Sequence, residues 1–394
     1  MPTENISIYI HYPFCKSKCP YCDFNSHVSD YVNYDYFIES YKKELNSFKE
    51  NIGNKNVVSI YFGGGTPSLM PIDLVKNILA HISKLFNIKT DCEITLESNP
   101  TSFEAKKFLE FKKIGINRIS IGIQALNDND LKFLGRQHSA NDSIKTIEKA
   151  ANIFTNFSFD LIYSRPNQSI KNWEEELKFA IKFNSNHMSL YQLTIEKGTQ
   201  FYKDFINKKF TLPNEDLSCE MFEVTNEIMK NSGYNQYEIS NYSKKNFESI
   251  HNNCYWKGYD YIGIGPGAHS RIYFLNDKYR KEIIMTYDPK NWINSIKNKG
   301  NAIQKISNIS KTDLLKELLL MGLRLEDGLN SEMVKIHFKN KLNKMINFDK
   351  LKKLIDNNFL EVSENNIKIT RNGRNLTNSI ISYICECLNF DKID

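Results

Sequence analysis

Ile6-Ser-Ile-Tyr-Ile-His-Tyr12 is an apolar run rich in isoleucine, and it leads after two residues into Cys15-Lys-Ser-Lys-Cys19-Pro-Tyr-Cys22. Isoleucine and tyrosine are enriched in β-strands, so the first run predicts a buried strand. The second run has the cysteine spacing C-x3-C-x2-C, which is typical of a metal-binding loop. Three thiolates can bind three irons of a cubane iron–sulfur cluster and leave the fourth iron open to a reactant. The two runs together predict a metal centre at the end of the first strand.

The cysteine loop taken by itself also fits zinc. Cys15, Cys19 and Cys22 would form a Cys3His set with His11 or His27, which is an ordinary ligand set for zinc. Disulfides are not expected, because the three cysteines are too crowded to pair with one another and no secretory segment precedes them. The spacing alone leaves both an iron–sulfur cluster and zinc open.

The composition is that of a globular protein. With 394 residues, of which 41% are hydrophobic, the chain can form one large core and a smaller domain. A net charge of +6 is too small to indicate nucleic acid as a partner. No apolar run approaches the roughly 18 residues needed to cross a bilayer, and the N-terminus shows no basic and apolar leader. We therefore expect a cytoplasmic location.

Short β-branched and aromatic runs alternate with helical patterns over the first half of the chain. The strands are predicted at Ile6–Tyr12, Val57–Phe62, Glu93–Glu97, Arg118–Gln124, Phe157–Tyr163 and His187–Leu193. The helices are predicted at Tyr34–Phe48, Ile72–Phe86, Phe103–Lys113, Ser143–Phe154 and Trp173–Lys182. Such alternation indicates a parallel sheet with right-handed crossovers. We therefore predict an α/β fold built on a partial (β/α)6 barrel of the TIM type.

Chemically unusual residues lie at or near the carboxyl ends of these strands, where barrels of this type place their active sites. The candidates are Gly64, Gly65 and Thr66 after the second strand, Glu97 in the third, Gln124 in the fourth and Asp160 in the fifth. Glycines allow backbone N–H groups to approach a ligand closely. A carboxylate in an apolar strand is costly unless it is paired or ligand-bound, so Asp160 is expected to hold a ligand. Arg136 is either a solvated charge or, through its planar geometry, a binding group for a carboxylate.

These motifs resemble those of the oxygen-independent coproporphyrinogen III oxidase family of radical S-adenosylmethionine (SAM) proteins. They are Tyr9-Ile-His-Tyr-Pro-Phe-Cys15, Cys19-Pro-Tyr-Cys22-Asp-Phe24, Phe62-Gly-Gly-Gly-Thr-Pro-Ser68, Glu97-Ser-Asn-Pro100, Ser120-Ile-Gly-Ile-Gln124, Gly135-Arg-Gln-His138 and Asp160-Leu-Ile-Tyr163. The resemblance spans most of the chain. It implies a [4Fe–4S] cluster on Cys15, Cys19 and Cys22, with SAM chelating the open iron, and it makes zinc the weaker expectation.

The resemblance also implies which residues contact SAM. They are Tyr9, Gly64, Gly65, Thr66, Glu97, Gln124, Arg136 and Asp160. An electron donor of the flavodoxin or ferredoxin type is implied as a partner. The family usually continues the motif of the fifth strand with Gly-Leu-Pro-Gly, whereas this chain has Ser164-Arg-Pro-Asn167, so the resemblance does not fix the shape of that loop.

Within the family, the sequence resembles the HemW-type haem chaperone branch. Phe24 stands where the true oxidases have a fourth cysteine, and the first strand begins by Ile6 without their longer N-terminal extension. The run His251-Asn-Asn-Cys-Tyr-Trp256 resembles the H-N-x-x-Y-W motif of that branch. Histidine is the usual axial ligand of haem iron, so His251 is the predicted haem ligand, with Cys254 and His269 as alternatives.

The implied function is to bind haem and to deliver it to haem-requiring apo-proteins such as respiratory haemoproteins. The alternative is a radical SAM oxidoreductase that decarboxylates coproporphyrinogen III. A homodimer and peripheral contact with a membrane during haem transfer stay open.

Three domains are predicted along the chain. Residues 1–235 form the radical SAM partial barrel, residues 236–300 a loop-rich connecting region with the haem motif, and residues 301–394 a smaller C-terminal domain. Helical patterns followed by a hairpin at Leu360–Val362 and Ile367–Thr370 make this last domain winged-helix-like. Its fifteen basic and twelve acidic residues do not make a basic face, so no nucleic-acid partner is expected.

Overall fold

In the computed structural model, which describes residues 4–29 and 31–393, six parallel strands lie side by side in chain order. They are β1 (Asn5–Tyr12), β2 (Asn56–Gly64), β3 (Asn87–Ser98), β4 (Arg118–Gln124), β5 (Asn156–Tyr163) and β6 (His187–Gln192). All six were predicted from their apolar pattern, although β3 begins at Asn87 rather than at Glu93. The prediction of a partial (β/α)6 barrel is therefore confirmed.

Helices cover the outer face of these strands. They are α1 (Tyr34–Ile52), α2 (Ile72–Leu85), α3 (Ser102–Lys106), α4 (Phe108–Lys113), α5 (Asp128–Phe133), α6 (Ala140–Ile153), α7 (Ile170–Ile181), α8 (Gln200–Ile206) and α9 (Glu215–Asn231). Polar side chains cap the N-termini of many of these helices. Ser139, for example, caps α6 by accepting a hydrogen bond from the N–H of Asp142, whose carboxylate accepts from the N–H of Ser139.

The chain after α9 is more ordered than the sequence predicts, because the next six strands after this helix all extend the same sheet. The elements after α9 are β7 (Asn235–Gln236), β8 (Asn241–Ser243), α10 (Ile250–Trp256), β9 (Tyr261–Ile264), β10 (His269–Tyr273), β11 (Arg280–Met285), α11 (Pro289–Lys299) and β12 (Ile303–Asn308). The strand order is β12-β11-β10-β9-β1-β2-β3-β4-β5-β6-β8-β7. β9 pairs in parallel with β1, and β10 to β12 continue the sheet in antiparallel fashion.

Glycines explain why the sequence predicts a loop-rich region where the structure has the strands β9 and β10. A Cβ on Gly263 would lie 2.2 Å from the carbonyl oxygen of His269, and one on Gly265 would lie 2.4 Å from the carbonyl oxygen of His11. Close packing of two backbones therefore requires glycine at both positions, and Gly265 also has a left-handed φ of 102°. The sequence pattern predicts neither β9 nor β10 within this loop-rich region.

The C-terminal residues form a second hydrophobic core of their own. Its elements are α12 (Lys311–Gly322), β13 (Leu329–Asn330), α13 (Ser331–Lys335), α14 (Leu342–Met345), α15 (Lys352–Asp356), β14 (Leu360–Val362), β15 (Asn366–Ile369) and α16 (Thr377–Glu386). β15 lies between β13 and β14 in a small antiparallel sheet, so the predicted hairpin is present. The three predicted domain ranges remain predictions, and their outer ends at residues 1–3 and 394 lie outside the described residues.

His337 joins the C-terminal domain to the large sheet. Its Nε2 donates to the carbonyl oxygen of Gly258 at 2.8 Å, and its Nδ1 lies 3.0 Å from the hydroxyl of Tyr273. The imidazole also stacks on the ring of Tyr273 and is buried. Within the described parts of the chain, no helix combines the length and the apolar character needed to span a bilayer.

Candidate functional site

The cysteine loop lies at the carboxyl end of β1 and is closed by a short parallel pairing of Phe14–Cys15 with His27–Val28. The hydroxyl of Thr66 donates to the Sγ of Cys15 at 3.3 Å, and the guanidinium of Arg136 donates to the Sγ of Cys19 at 3.4 Å. The Sγ of Cys22 lies 3.8 Å from the hydroxyl of Ser26. All three thiols are half-buried and line one cavity of about 150 Å³, which we call the thiol cavity.

The two histidines considered for zinc are occupied by other partners. His11 is buried, with its Nδ1 3.0 Å from the hydroxyl of Tyr9 and its Nε2 2.9 Å from the carbonyl oxygen of Asn25. The Nε2 of His27 lies 3.0 Å from the side-chain oxygen of Asn25. Among residues 4–29 and 31–393, no three cysteine, histidine or acidic side chains lie close enough to share one metal ion. Both ring nitrogens of His11 are thus engaged, which makes His11 unsuited as the fourth ligand of a Cys3His site, whereas only the Nε2 of His27 is engaged.

Two half-buried carboxyl groups, those of Glu97 and Asp160, line the thiol cavity. Glu97 accepts a hydrogen bond from the hydroxyl of Tyr61 at 2.8 Å and one from the N–H of Gly64 at 3.3 Å. Burial raises the pKa of Glu97 to about 7 and the pKa of Asp160 to about 6. At neutral pH, such groups can hydrogen-bond to an amino group or to a sugar hydroxyl of a bound ligand.

Arg136 forms one side of the thiol cavity. Its Nη2 donates to the side-chain oxygen of Asn99 at 2.5 Å and to the carbonyl oxygen of Gly122 at 2.8 Å. Asn99 in turn donates to the hydroxyl of Thr66 at 3.0 Å. The Nε of Arg136 is buried without a hydrogen-bond partner among the described residues, which leaves a donor for a ligand.

The thiol cavity brings together most of the predicted SAM contacts. Its lining includes Gly64, Gly65, Thr66, Glu97, Gln124, Arg136 and Asp160 together with the three cysteines. Gln124 has the left-handed φ of 74°, an unusual backbone conformation for a residue other than glycine and one that often marks functional sites. The sequence reasoning missed Asn99, although it lies inside the quoted motif that begins at Glu97.

A larger cavity of about 800 Å³ adjoins the thiol cavity and shares Phe24, Gly64 and Glu97 with it. We call it the aromatic cavity because of its ring-bearing side chains. These are Tyr9, His11, Tyr191, Tyr255, Trp256, Tyr261, His269 and Tyr287, with Phe24 at the shared wall. Tyr9, a predicted SAM contact, lies here rather than in the thiol cavity.

The prediction that His251 is the haem ligand does not agree with its position, because His251 does not line the aromatic cavity. Its Nδ1 lies 2.9 Å from the hydroxyl of Ser59, its Nε2 lies 2.7 Å from the hydroxyl of Tyr255, and its ring stacks on Tyr61. The side chain is 1% exposed, and burial lowers its pKa to about 3. Both ring nitrogens are thus engaged, and His251 cannot bind haem iron unless these bonds break.

The other residues of the His251–Trp256 motif do form the cavity wall. Asn252, Tyr255 and Trp256 line the aromatic cavity, whereas Cys254 is buried away from it. His269, the remaining alternative, is exposed and faces the cavity, with its Nε2 3.4 Å from the hydroxyl of Tyr287. The histidine best placed to bind a ligand is therefore His269.

The loop after β5 keeps left-handed backbone at the positions where the resembling family has glycine. Ser164 has a φ of 56° and Asn167 a φ of 60°. Arg165 is buried between the two and forms ion pairs with Asp130 at 3.0 Å and with Glu176. The departure from Gly-Leu-Pro-Gly therefore changes the side chains without removing the left-handed turns.

Two parts of the chain match known protein families. The chain matches the family model of the Radical SAM superfamily over residues 9–180 and that of the HemN C-terminal domain over residues 309–376. The heme chaperone HemW of Buchnera aphidicola subsp. Schizaphis graminum is 38% identical over 95% of this chain and 97% of its own length.

Two further matches agree with these. The mitochondrial radical S-adenosyl methionine domain-containing protein 1 of Danio rerio is 35% identical over 83% of this chain and 74% of its own length. The solved coproporphyrinogen III oxidase (HemN) of Escherichia coli has a TM-score of 0.78 at 21% identity, over 97% of this chain and 89% of that chain, which shows the fold. The chain therefore belongs to the HemW-type branch of the radical SAM superfamily.

Proposed function

We propose that this protein is a haem chaperone, which binds haem in the aromatic cavity and delivers it to haem-requiring apo-proteins. The observation that carries the proposal is the aromatic cavity itself. Its size of about 800 Å³ and its tyrosine and tryptophan side chains suit a flat apolar ring with polar edges. The motif residues Asn252, Tyr255 and Trp256 form part of its wall. HemW relatives that carry the haem chaperone name support the same function.

The chemistry of the side chains that line the thiol cavity supports binding of a [4Fe–4S] cluster and of SAM at this place. Cys15, Cys19 and Cys22 supply three thiol ligands, and each already lies beside a polar side chain. When bound, the cluster would supply one electron at a time and an iron with an open coordination position. The residues of this chain would orient SAM, with Glu97 and Asp160 accepting hydrogen bonds and the Nε of Arg136 donating one.

We assign the axial ligand of haem to His269 rather than to His251. His269 is exposed to the aromatic cavity, and its Nε2 has only a 3.4 Å contact to the hydroxyl of Tyr287. His251 has an indirect function in this proposal, because its Nε2 fixes the hydroxyl of the cavity residue Tyr255. A single accessible ligand also suits delivery, since haem must leave again.

The proposal is tested by haem titration of the anaerobically reconstituted protein, followed by absorption and by transfer to a haem-requiring apo-protein. We expect about one haem per chain. His269→Ala should remove the spectral signature of histidine ligation, whereas His251→Gln should keep that signature while affinity falls. A wild-type protein that binds no haem would overturn the chaperone function. A histidine signature that persists in His269→Ala would overturn the ligand assignment.

A second function is favoured by one observation, namely that the aromatic cavity shares Gly64 and Glu97 with the thiol cavity. A tetrapyrrole bound there would lie next to SAM, as a radical SAM oxidoreductase acting on coproporphyrinogen III requires. Incubation with coproporphyrinogen III, SAM and a reductant tests this alternative. Efficient decarboxylation would favour the oxidase function. Haem transfer without decarboxylation would favour the chaperone function. The apo-protein acceptor, the electron donor, a homodimer and the cytoplasmic location remain predictions.

A further inference from the structure

The C-terminal domain contributes two side chains to the aromatic cavity. Met321 lies in the last turn of α12 and Arg324 lies two residues beyond the end of that helix, and both line the aromatic cavity. Among the described residues that line the aromatic cavity, Arg324 is the only lysine or arginine, whereas Glu97 and Glu238 are acidic. A carboxylate-bearing ligand in this cavity would therefore find one cationic group.

Arg324 is held in position by its own domain. Its Nη2 donates to the side-chain oxygen of Asn378 at 2.7 Å, and its Nη1 donates to the carbonyl oxygen of Leu320. A guanidinium has five N–H donors, so donors remain beyond these two bonds. No ion pair within 4.0 Å joins Arg324 to a described acidic side chain. A fixed guanidinium with spare donors is suited to bind a carboxylate in a bidentate manner.

The charge of Arg324 is only partly compensated by its surroundings. Burial lowers the pKa of this arginine, and the nearby Glu238 acts in the opposite direction. Glu238 is itself buried, and its carboxylate accepts hydrogen bonds from the N–H of Ser240 and the amide of Asn241. The guanidinium is thus partly removed from water and has no described acidic side chain in direct contact. A ligand carboxylate would compensate the lost hydration.

We propose that Arg324 binds a propionate carboxylate of the tetrapyrrole in the aromatic cavity, an inference that rests on the proposed haem-binding function. The C-terminal domain thereby takes part in ligand recognition. Haem has two carboxylates, whereas coproporphyrinogen III has four. A cavity with one cationic residue therefore suits haem better, because coproporphyrinogen III would leave more carboxylates without a cationic partner. Arg324 is then a residue that selects between the two tetrapyrrole classes.

The test compares haem with its dimethyl ester, in which both propionates are masked. The wild-type protein should bind haem at least about tenfold more tightly than the ester, as a charged hydrogen bond implies. Arg324→Gln should bind haem and ester with nearly equal affinity. Arg371→Gln is the matched control, because Arg371 is exposed and pairs with Glu223 away from the cavity. This control should keep the wild-type preference for haem.

Three outcomes would overturn the inference in distinguishable ways. If the wild-type protein binds haem and ester equally, haem binding stands but propionate recognition fails. If Arg324→Gln weakens both ligands by the same factor, the arginine acts only by holding the domain in place. If the wild-type protein binds neither ligand, the proposed function fails and this inference with it.

Discussion

At the scale of single residues, Asp160 is the clearest test of the thiol cavity. It is a carboxyl group in a strand whose other residues are mostly apolar, and burial raises its pKa to about 6. We expect Asp160→Ala to weaken SAM binding at least about tenfold, because a hydrogen-bond acceptor for the ligand is lost. Iron and sulfide contents should be unchanged, since the cluster ligands are cysteines.

Asp277→Ala serves as the control for Asp160→Ala. Asp277 is a surface residue paired with Lys281, and its removal should leave SAM binding at the wild-type value. Loss of iron and sulfide in Asp160→Ala would show instead that the carboxylate supports the cluster loop.

Gly64 offers a second test at this scale. Its φ of 109° is unfavourable for any other residue, and a Cβ there would lie 2.5 Å from the imidazole of His11. Gly198 has a φ of 88°, but a Cβ there would meet open space. Gly198→Ala should therefore cost about 1–2 kcal/mol of unfolding free energy through its backbone alone. Gly64→Ala should lower the unfolding free energy clearly more than Gly198→Ala, as measured by urea denaturation. Equal losses in the two variants would show that His11 moves aside without strain.

At the scale of elements, the loop between β5 and α7 depends on Arg165. This arginine is buried beside Glu176, which also accepts a hydrogen bond from the N–H of Leu126 at 2.7 Å. Arg165→Leu would leave the buried carboxylate of Glu176 unpaired, and we expect a loss of about 3–5 kcal/mol in unfolding free energy. The double variant Arg165→Leu with Glu176→Gln should recover part of that loss, because the amide oxygen can still accept from Leu126.

The exposed pair of Arg371 and Glu223 provides the comparison for Arg165. Arg371→Leu should change the unfolding free energy by less than about 1 kcal/mol, as is usual for surface ion pairs. If Arg165→Leu is equally mild and the double variant brings no recovery, the buried ion pair does not stabilise this loop.

The elements also show how far the sequence can predict this fold. β1 to β6 were found because apolar residues on both faces of a short run are typical of a buried parallel strand. β9 was missed because its pairing partner, β1, is far away in the sequence and Gly263 imitates a turn. Likewise, the motif at His251 indicates which residues cluster, but not that Ser59 and Tyr255 occupy both nitrogens of the ring. Such pairings arise only from the tertiary structure.

At the scale of the whole molecule, His337 makes the attachment of the C-terminal domain sensitive to acid. Burial lowers the pKa of His337 to about 3, and the positive charges of Arg280 and Lys311 act in the same direction. The unfolded chain would take up a proton below about pH 6.5, whereas the folded protein would not. Stability should therefore fall as the pH decreases, by about 2 kcal/mol at pH 5 relative to pH 7 for this one group.

His337→Gln isolates this effect, because other buried histidines titrate in both proteins. The difference in unfolding free energy between the wild-type protein and His337→Gln should shrink as the pH is lowered from 7 to 5. A difference that stays constant over this range would show that His337 does not titrate on unfolding.

The pairing of β1 with β9 has a consequence for synthesis on the ribosome. β1 ends at Tyr12, and the strand that covers its free edge begins only at Tyr261. At roughly 5–20 residues per second, translation leaves that edge uncovered for on the order of ten seconds to a minute. During this interval the nascent chain exposes an unpaired strand directly before its three cysteines. Until β9 has emerged from the ribosome, the growing chain is therefore prone to aggregate at this unpaired strand edge.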